Sequence, residues 1–504
     1  LQRFVTFGLN QLLLRAASPE EVGFGASKME LLLFTVLFLA REAFRLTALR
    51  QPDAPKGAGF PQHLVNVAWC PVPVGLALVA ATVAYQSSTG WGGVGLPPGA
   101  ALCIALFCLA ASVELLAEPA YILTQSRMMY ALRLRVEGVA NVVKCVVTYV
   151  GLAWMGWGVV AFGAAQLAFS VVLFGYTVAV VQGAPRGRDL LPRRLQGGGA
   201  LLPDQTRLLR AFGTQTVFKF LLTEGDRLVM AASTGLYEMG VYNVVTNYGS
   251  LPARLLFQPC EEASRALFSK LASGGKDAGT HATQAAADVF AVIMRLVVVV
   301  GLLFLCFGSN YTCVALDVLL GSRWSTTTAP SVLAVYCGYV LVLAVNGMCE
   351  AFVFSVVSSD VIQRLNWLLA GFFLVYVGTA VVLLRWMGTS GLVVANIVNM
   401  GCRIVTCWIV ARRYLAANGG VSLSARRVRM LPSTPTLAGF GASFLITALS
   451  KQHFDCFARA HQAMHVAVGA ACAGVVIGLA WKFDRRALAE SWRMVRGGDA
   501  GKQD

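Results

Sequence analysis

Apolar runs of about 17 to 25 residues recur from one end of the chain to the other, separated by short polar connections. That length crosses a hydrocarbon layer of about 30 Å at a helical rise of about 1.5 Å per residue. Lipid offers the backbone no hydrogen-bond partners, so a spanning segment must be a helix or part of a closed barrel. The apolar–polar alternation of barrel strands is missing, and the pattern therefore predicts helices. Fourteen spans are expected, centred near residues 7, 36, 75, 108, 145, 170, 222, 250, 298, 343, 376, 401, 443 and 472. The predicted class is an all-α polytopic membrane protein. The run Leu1 to Leu14 reads as the second half of a helix, so the first span is expected to be truncated, and no cleavable signal peptide is assigned.

Composition agrees: 57% of the 504 residues are hydrophobic, 13% are charged, and the mean hydropathy is +0.66. The 13 cysteines are scattered singly, without a CxxC pair or a Cys/His cluster at metal-ligand spacing, and read as small core residues. No metal or other cofactor is expected. GxSxG, HExxH and phosphate-cradling GxxxxGKS motifs are absent, which argues against an enzyme.

The net charge of +16 is a topology signal. With a cytosolic N-terminus, the cytosolic connections hold Arg45, Arg50, Lys56, Arg127, Arg133, Arg135, Arg186, Arg188, Arg193, Arg194, Arg207 and Arg210. Arg412, Arg413, Arg426, Arg427, Arg429 and a basic tail of Lys482, Arg485, Arg486, Arg493 and Arg496 join them. The opposite loops carry Arg15, Lys28, Arg323, Arg385, Lys451 and Arg459, a bias of roughly four to one. Both termini are thus expected in the cytosol, and the basic residues call for no nucleic-acid partner. The sequon Asn310-Tyr311-Thr312 falls on the other side in this topology.

A weak internal repeat is visible. Glu118-Pro119-Ala120-Tyr121 resembles Glu350-Ala351-Phe352-Val353, and each glutamate stands 36 residues before a Trp-Met-Gly, at Trp154 and Trp386. Ala16-Ala17-Ser18 with Gly23 is echoed by Ala231-Ala232-Ser233 with Gly240. Six spans per unit preserve orientation, which predicts two parallel six-helix repeats followed by two C-terminal helices. The expected division is an N-terminal lobe 1–182, a basic linker 183–208, a C-terminal lobe 209–415, and the extra helices with a basic tail over 416–504.

Ionisable side chains at bilayer depth cost at least about 2.5 to 3.5 kcal/mol each, so they mark cavities or partners. Lys144 sits deep in the fifth span and shares a helix face with Glu137 and Asn141; a relay or cavity role and a buried ion pair are both open. Glu114 and Glu118 lie one turn apart, which calls for a cation such as Lys144 or for one protonated carboxyl. Arg41, Glu42 and Arg45 close the second span, as membrane anchors or as site residues. In the eighth span Arg254, Gln258, Glu261, Glu262 and Arg265 recur at helical spacing, with Gly249, Pro252 and Pro259 predicting a bent or broken helix. Arg403 is mid-span between Asn396, Asn399 and the cytosolic end. Arg295 and Arg385 read as anchors.

Four longer motifs carry a resemblance: Leu39-Ala40-Arg41-Glu42-Ala43-Phe44-Arg45, Leu222-Thr223-Glu224-Gly225-Asp226-Arg227, Phe257-Gln258-Pro259-Cys260-Glu261-Glu262 and Asn399-Met400-Gly401-Cys402-Arg403-Ile404. Together they resemble the eukaryotic Rft oligosaccharide translocation proteins, of the multidrug/oligosaccharidyl-lipid/polysaccharide flippase superfamily, over nearly the whole chain. The resemblance implies two six-helix lobes, in some branches with two extra C-terminal helices, in the endoplasmic reticulum membrane. It implies passage of a dolichol diphosphate bearing five mannoses and two N-acetylglucosamines from the cytosolic to the lumenal leaflet, for protein N-glycosylation. An isolated diphosphate in hydrocarbon would cost tens of kcal/mol by Born estimates, which a hydrated basic cavity reduces. Arg41, Arg45, Lys144, Arg254 and Arg403 are the expected substrate-binding residues, with Arg15 as a lumenal-side contact. Glu42, Glu114, Glu118, Glu261, Glu262 and Glu350 are the expected charge-network or coupling residues. The expected partners are the lipid-linked oligosaccharide and membrane lipids, and the expected state is a monomer. Competing readings are a lipid-linked oligosaccharide binder or scaffold that does not transport, an ion-coupled exporter of the same superfamily, and a membrane glycosyltransferase.

Overall fold

The computed structural model describes residues 2–51, 60–88, 96–126, 130–182, 191–195, 201–273, 279–419 and 430–484. Residues 183–190 and 196–200 of the linker 183–208 lie outside them, as do Lys56, Arg127, Arg186, Arg188, Arg426, Arg427, Arg429, Arg485, Arg486, Arg493, Arg496 and the side chain of Arg133. Every regular element among the described residues is helical. In chain order these are α1 (Gln2–Ala16), α2 (Pro19–Leu49), α3 (Gln62–Ser88), α4 (Ala100–Ser126), α5 (Tyr130–Ala153), α6 (Val160–Gln182) and α7 (Pro203–Ser233). Then come α8 (236–273), α9 (279–320), α10 (Ala329–Val356), α11 (Ser359–Met387), α12 (Thr389–Gly419), α13 (Thr434–His453) and α14 (Arg459–Phe483). A helix stands at each predicted centre. Among the described residues, nine helices (α2 to α5, α9 to α12 and α14) are long and apolar enough to cross a membrane.

Local chemistry explains several boundaries. The Ser18 hydroxyl accepts from the Glu21 amide, the Glu21 carboxylate accepts from the Ser18 amide, and Pro19 takes the first helical position of α2. Residues Gly23–Met29 of α2 then widen into a π-helical stretch. The predicted break in α8 is likewise a π-helical segment, Ala253–Phe257, directly after Pro252. The two Trp-Met-Gly motifs end α5 and α11 alike: Gly156 and Gly388 have φ of +64° and +58°, and Trp154 and Trp386 stand 78% and 82% exposed. A side chain at either glycine would be strained. Exposed tryptophans at the end of an apolar helix suit the membrane–water interface.

The chain divides into two compact units, Leu1–Asn243 and Val244–Asp504, a boundary inside α8 and later than the linker. In the first, α6 packs along α4 and α5, and small residues bring the backbones close: Ala110, Ala111, Ala117, Ala161 and Ala165 are buried, and Gly163 abuts the Cys103 backbone. In the second, α12 packs along α10 and α11 in the same pattern, with Ala351, Ala380, Ala395 and Ala411 buried. Phe268, Phe290 and Phe352 form an aromatic cluster there, with ring centroids 4.7 to 6.2 Å apart.

Within the first unit Gly23 of α2 faces Gly240 of α8. A Cβ on Gly23 would land on the carbonyl oxygen of Leu236, and a Cβ on Gly240 on that of Pro19. The Ser27 hydroxyl donates to Met239 O at 3.3 Å, and Asn243 Nδ2 to Ala26 O at 3.1 Å. The contact is reciprocal between two segments that the sequence relates by repeat.

Candidate functional site

Each unit holds a buried glutamate answered by arginine beside a small cavity. In the first unit Arg41 and Arg45 lie one turn apart on α2, and Glu114 and Glu118 one turn apart on α4, so the two ladders match in pitch. Arg41 Nη1 donates to Glu114 Oε1 at 2.9 Å and lies 3.7 Å from Glu118 Oε2. Arg45 grips Glu118 with both prongs, Nε to Oε1 and Nη2 to Oε2, the latter at 2.7 Å. Such a fork is the strong geometry for a guanidinium and a carboxylate. The same guanidinium lies 4.0 Å over the Tyr121 ring. Glu118 is 2% exposed, and Pro119 follows it within α4.

This ladder opens on a cavity of about 250 Å³, whose walls add Glu137 and Asn141 from α5 and Phe169, Leu173 and Thr177 from α6. Three wall carboxylates face two guanidiniums, so the cavity is not cationic. Lys144 does not line it. Its Nζ pairs with Glu30 Oε1 of α2 at 2.8 Å, so the cations that answer Glu114 and Glu118 are Arg41 and Arg45, and neither glutamate stands without a positive partner. The reason is positional: Glu137 and Asn141 face the cavity from α5, whereas Lys144 reaches the beginning of Glu30–Leu49.

In the second unit Arg403 of α12 reaches Glu350 of α10, with Nε at 2.8 Å and Nη2 at 2.6 Å from the single oxygen Oε1. The adjoining cavity, about 190 Å³, is lined also by Gln258 and Glu261 of α8 and by Asn346. Glu261 is held by Arg265 one turn along its own helix. Asn346 is 3% exposed, and its Oδ1 has no hydrogen-bond partner among the described residues. The carboxamide of Asn399, expected to flank Arg403, also has an unpartnered buried oxygen.

The remaining expected site residues lie apart from both cavities. Arg254 is exposed on the π-helical stretch of α8 and donates to Ser250 Oγ at 2.6 Å. Glu262 is exposed, and Arg15 is exposed on the last turn of α1. Glu42 pairs with Lys219 of α7 at 2.7 Å, a partner that sequence reading missed although Lys219 is the lone cation between Arg210 and Arg227. Arg295, expected as an anchor, instead ties α9 to the C-terminal pair: Nε donates to Leu431 O at 2.9 Å, and Nη1 is 3.5 Å from Asp484. Two cysteines are not isolated core residues, since Cys313 and Cys456 form a disulfide. Their thiols meet through tertiary packing, which spacing does not reveal.

A bundle of helices long and apolar enough to cross a membrane, with ion pairs between them, defines a multi-pass membrane protein. Solved structures share this fold. A lipid II flippase, MurJ, in an inward closed conformation superposes with a TM-score of 0.57 at 10% identity, over 96% of this chain and 98% of that one. An inward-facing multidrug resistance MATE family transporter of the MOP superfamily gives 0.53 at 15% identity, over 83% and 95%. The chain belongs to the Rft protein family, whose profile matches residues 1–494. Relatives named Man(5)GlcNAc(2)-PP-dolichol translocation protein RFT1 include that of Mus musculus, 33% identical over 95% of this chain and 92% of its own length. Those of Xenopus tropicalis (30%, over 95% and 92%) and Saccharomyces cerevisiae (29%, over 82% and 80%) carry the same name.

Proposed function

We propose that this protein moves a dolichol-diphosphate-linked oligosaccharide of five mannoses and two N-acetylglucosamines between the leaflets of the endoplasmic reticulum membrane, for protein N-glycosylation. The observation that carries the reading is the 33% identity, over 95% of the chain, to a mouse protein named for translocation of that compound. The two lobes joined by the basic linker 183–208, with both termini cytosolic, belong to the same proposal.

In this reading Arg41 is the first phosphate ligand. It has one close carboxylate partner and 20% side-chain exposure, whereas Arg45 is committed to Glu118 on both prongs and positions the ladder. An arriving diphosphate competes with Glu114 for Arg41, and the released carboxylate takes up a proton or a cation. Arg254, with no carboxylate partner among the described residues, and Arg403 serve later contacts, and Lys144 keeps α5 registered on α2 through Glu30. The sugars and dolichol stay outside both cavities, which fall below the ~300–1,000 Å³ range of pockets that enclose drug-sized ligands.

One observation favours a second reading, in which the chain binds or organises the lipid-linked oligosaccharide without moving it: the arginines are already neutralised by carboxylates. Purified protein in liposomes containing the dolichol-linked heptasaccharide discriminates the two. Translocation predicts leaflet exchange by wild type that falls at least tenfold in Arg41→Ala and is reduced in Lys144→Ala, with folding intact. Well-folded wild type that gives no exchange would move the assignment to binding or scaffolding.

A further inference from the structure

We propose that the Cys313–Cys456 disulfide is an oxidative staple made on the non-cytosolic side of the membrane, and that docking of α13 and α14 by this staple closes off the glycosylation sequon at Asn310. The inference does not rest on the translocation reading.

The sequon Asn310-Tyr311-Thr312 runs directly into Cys313, so two modifiable sites share four consecutive residues of α9. The described part of α9 that is apolar enough to cross a membrane spans 38 residues, against the roughly 20 that suffice. Its C-terminal turns can therefore stand clear of the hydrocarbon. An asparagine accepts a glycan on its side-chain nitrogen, which must be reachable. Here Asn310 is 7% exposed, and its Nδ2 is spent on Thr447 Oγ1 at 2.8 Å, Phe444 O at 3.2 Å and Cys306 O at 3.3 Å. Thr312 is 2% exposed. Tyr311 stacks on His465 with ring centroids 4.1 Å apart and donates its hydroxyl to His465 O at 2.8 Å; Gly469 leaves the room for it.

Phe444 and Thr447 lie on α13 and His465 and Gly469 on α14, so the C-terminal pair is what covers the sequon. Cys456 sits in the connection between those helices. The Cα atoms of Cys313 and Cys456 are 6.2 Å apart, and Gln462 Nε2 bridges the site, donating to Asp317 Oδ2 at 2.8 Å and to Cys456 O at 2.6 Å. The opposite end of the pair has a separate, non-covalent tie: Asp484 accepts from the Ser433 amide at 3.1 Å, from its hydroxyl at 2.9 Å and from the Thr436 hydroxyl at 2.6 Å.

Disulfides persist in oxidising compartments and are rare in the cytosol. The eleven other cysteines are free, so the oxidised pair stands at one end of the helices alone. That end is the one where the sequon lies. Chain direction then puts the start of α13 and the end of α14 on the cytosolic side, a sidedness obtained without counting basic residues. In the oxidation step the two thiols lose two protons and two electrons to the disulfide of a protein oxidant by thiol–disulfide exchange. The Sγ–Sγ bond forms, and the oxidant leaves as a dithiol.

The test uses the full chain in microsomes, with thiol trapping by a mass-tagged maleimide before and after reduction, and digestion by an endoglycosidase that removes N-glycans. Folded wild type should take up two further tags after reduction, both lost in Cys313→Ser/Cys456→Ser, and should show no endoglycosidase-sensitive shift. Cys456→Ser should gain such a shift, which Asn310→Gln should abolish. Trapping of either cysteine in folded wild type without reductant overturns the staple, and this arm needs no variant to fold. A glycan on wild-type Asn310, or a Cys456→Ser chain that gains none, overturns the closure.

Discussion

Glu118 and Glu350 occupy one place in the repeat, 36 residues before a Trp-Met-Gly turn, yet their cations come from different helices. In the first unit the arginines are on α2, and the face of α6 toward the cavity offers Phe169, Leu173 and Thr177. In the second the arginine is on α12, the repeat partner of α6, while α8, the partner of α2, contributes Glu261. The two sites also differ in grip. Arg45 forks both oxygens of Glu118 above an aromatic ring, whereas Arg403 converges on one oxygen of Glu350, and Val353 stands where the first unit has Tyr121. A carboxylate buried in a bundle demands neutralisation, and any neighbouring helix that presents a guanidinium at the right height supplies it. The acidic position is kept between the repeats and the source of the cation is not.

The comparison is broken most directly by removing the acids. Glu118→Ala strands Arg45, and in part Arg41, in a buried site and should destabilise the protein by about 3–5 kcal/mol, read as thermal unfolding in detergent. Glu350→Ala should cost less, roughly 2 kcal/mol, because the Arg403 side chain is 24% exposed against 16% for Arg45 and can turn toward water. Equal losses would show that the two sites carry the same constraint despite their geometry. A sharper measurement is the double-mutant cycle. Arg45→Ala with Glu118→Ala, and Arg403→Ala with Glu350→Ala, should each couple by about 1–3 kcal/mol, while Arg45→Ala with Glu350→Ala should be additive within about 0.5 kcal/mol. The smallest effect is expected from Tyr121→Val, which gives the first site the residue of the second. Loss of the cation–π contact should cost about 1 kcal/mol, and an unchanged melting temperature would remove the ring from the account.

Hydropathy made the helices legible, because the length of an apolar run and the lipid thickness fix each other. The repeat made Glu118 and Glu350 legible as a pair, and Trp154 and Trp386 marked the equivalent helix ends. Their partners were not legible. Lys144 and Arg41 are both cations near acidic neighbours, and only the packing of α2 on α4 and α5 decides that Arg41 answers Glu114 while Lys144 answers Glu30. Cys313 and Cys456 sit among apolar residues like their free counterparts, and what separates them from the rest is a meeting across 143 residues of chain. Asn310 shows the same limit, since the sequon and both C-terminal helices are visible in sequence and the docking of those helices over it is not.

The Gly23–Gly240 crossing has a consequence for motion. At the two glycines the backbones touch without side chains between them, so that point of contact parts without the unlocking of interdigitated rotamers. The polar cost includes the bonds from Ser27 and Asn243, each worth about 0.5–1.5 kcal/mol. A joint of that kind is tight when shut and cheap to open, and its stiffness is set by the π-helical turns beside it rather than by chemistry at the contact.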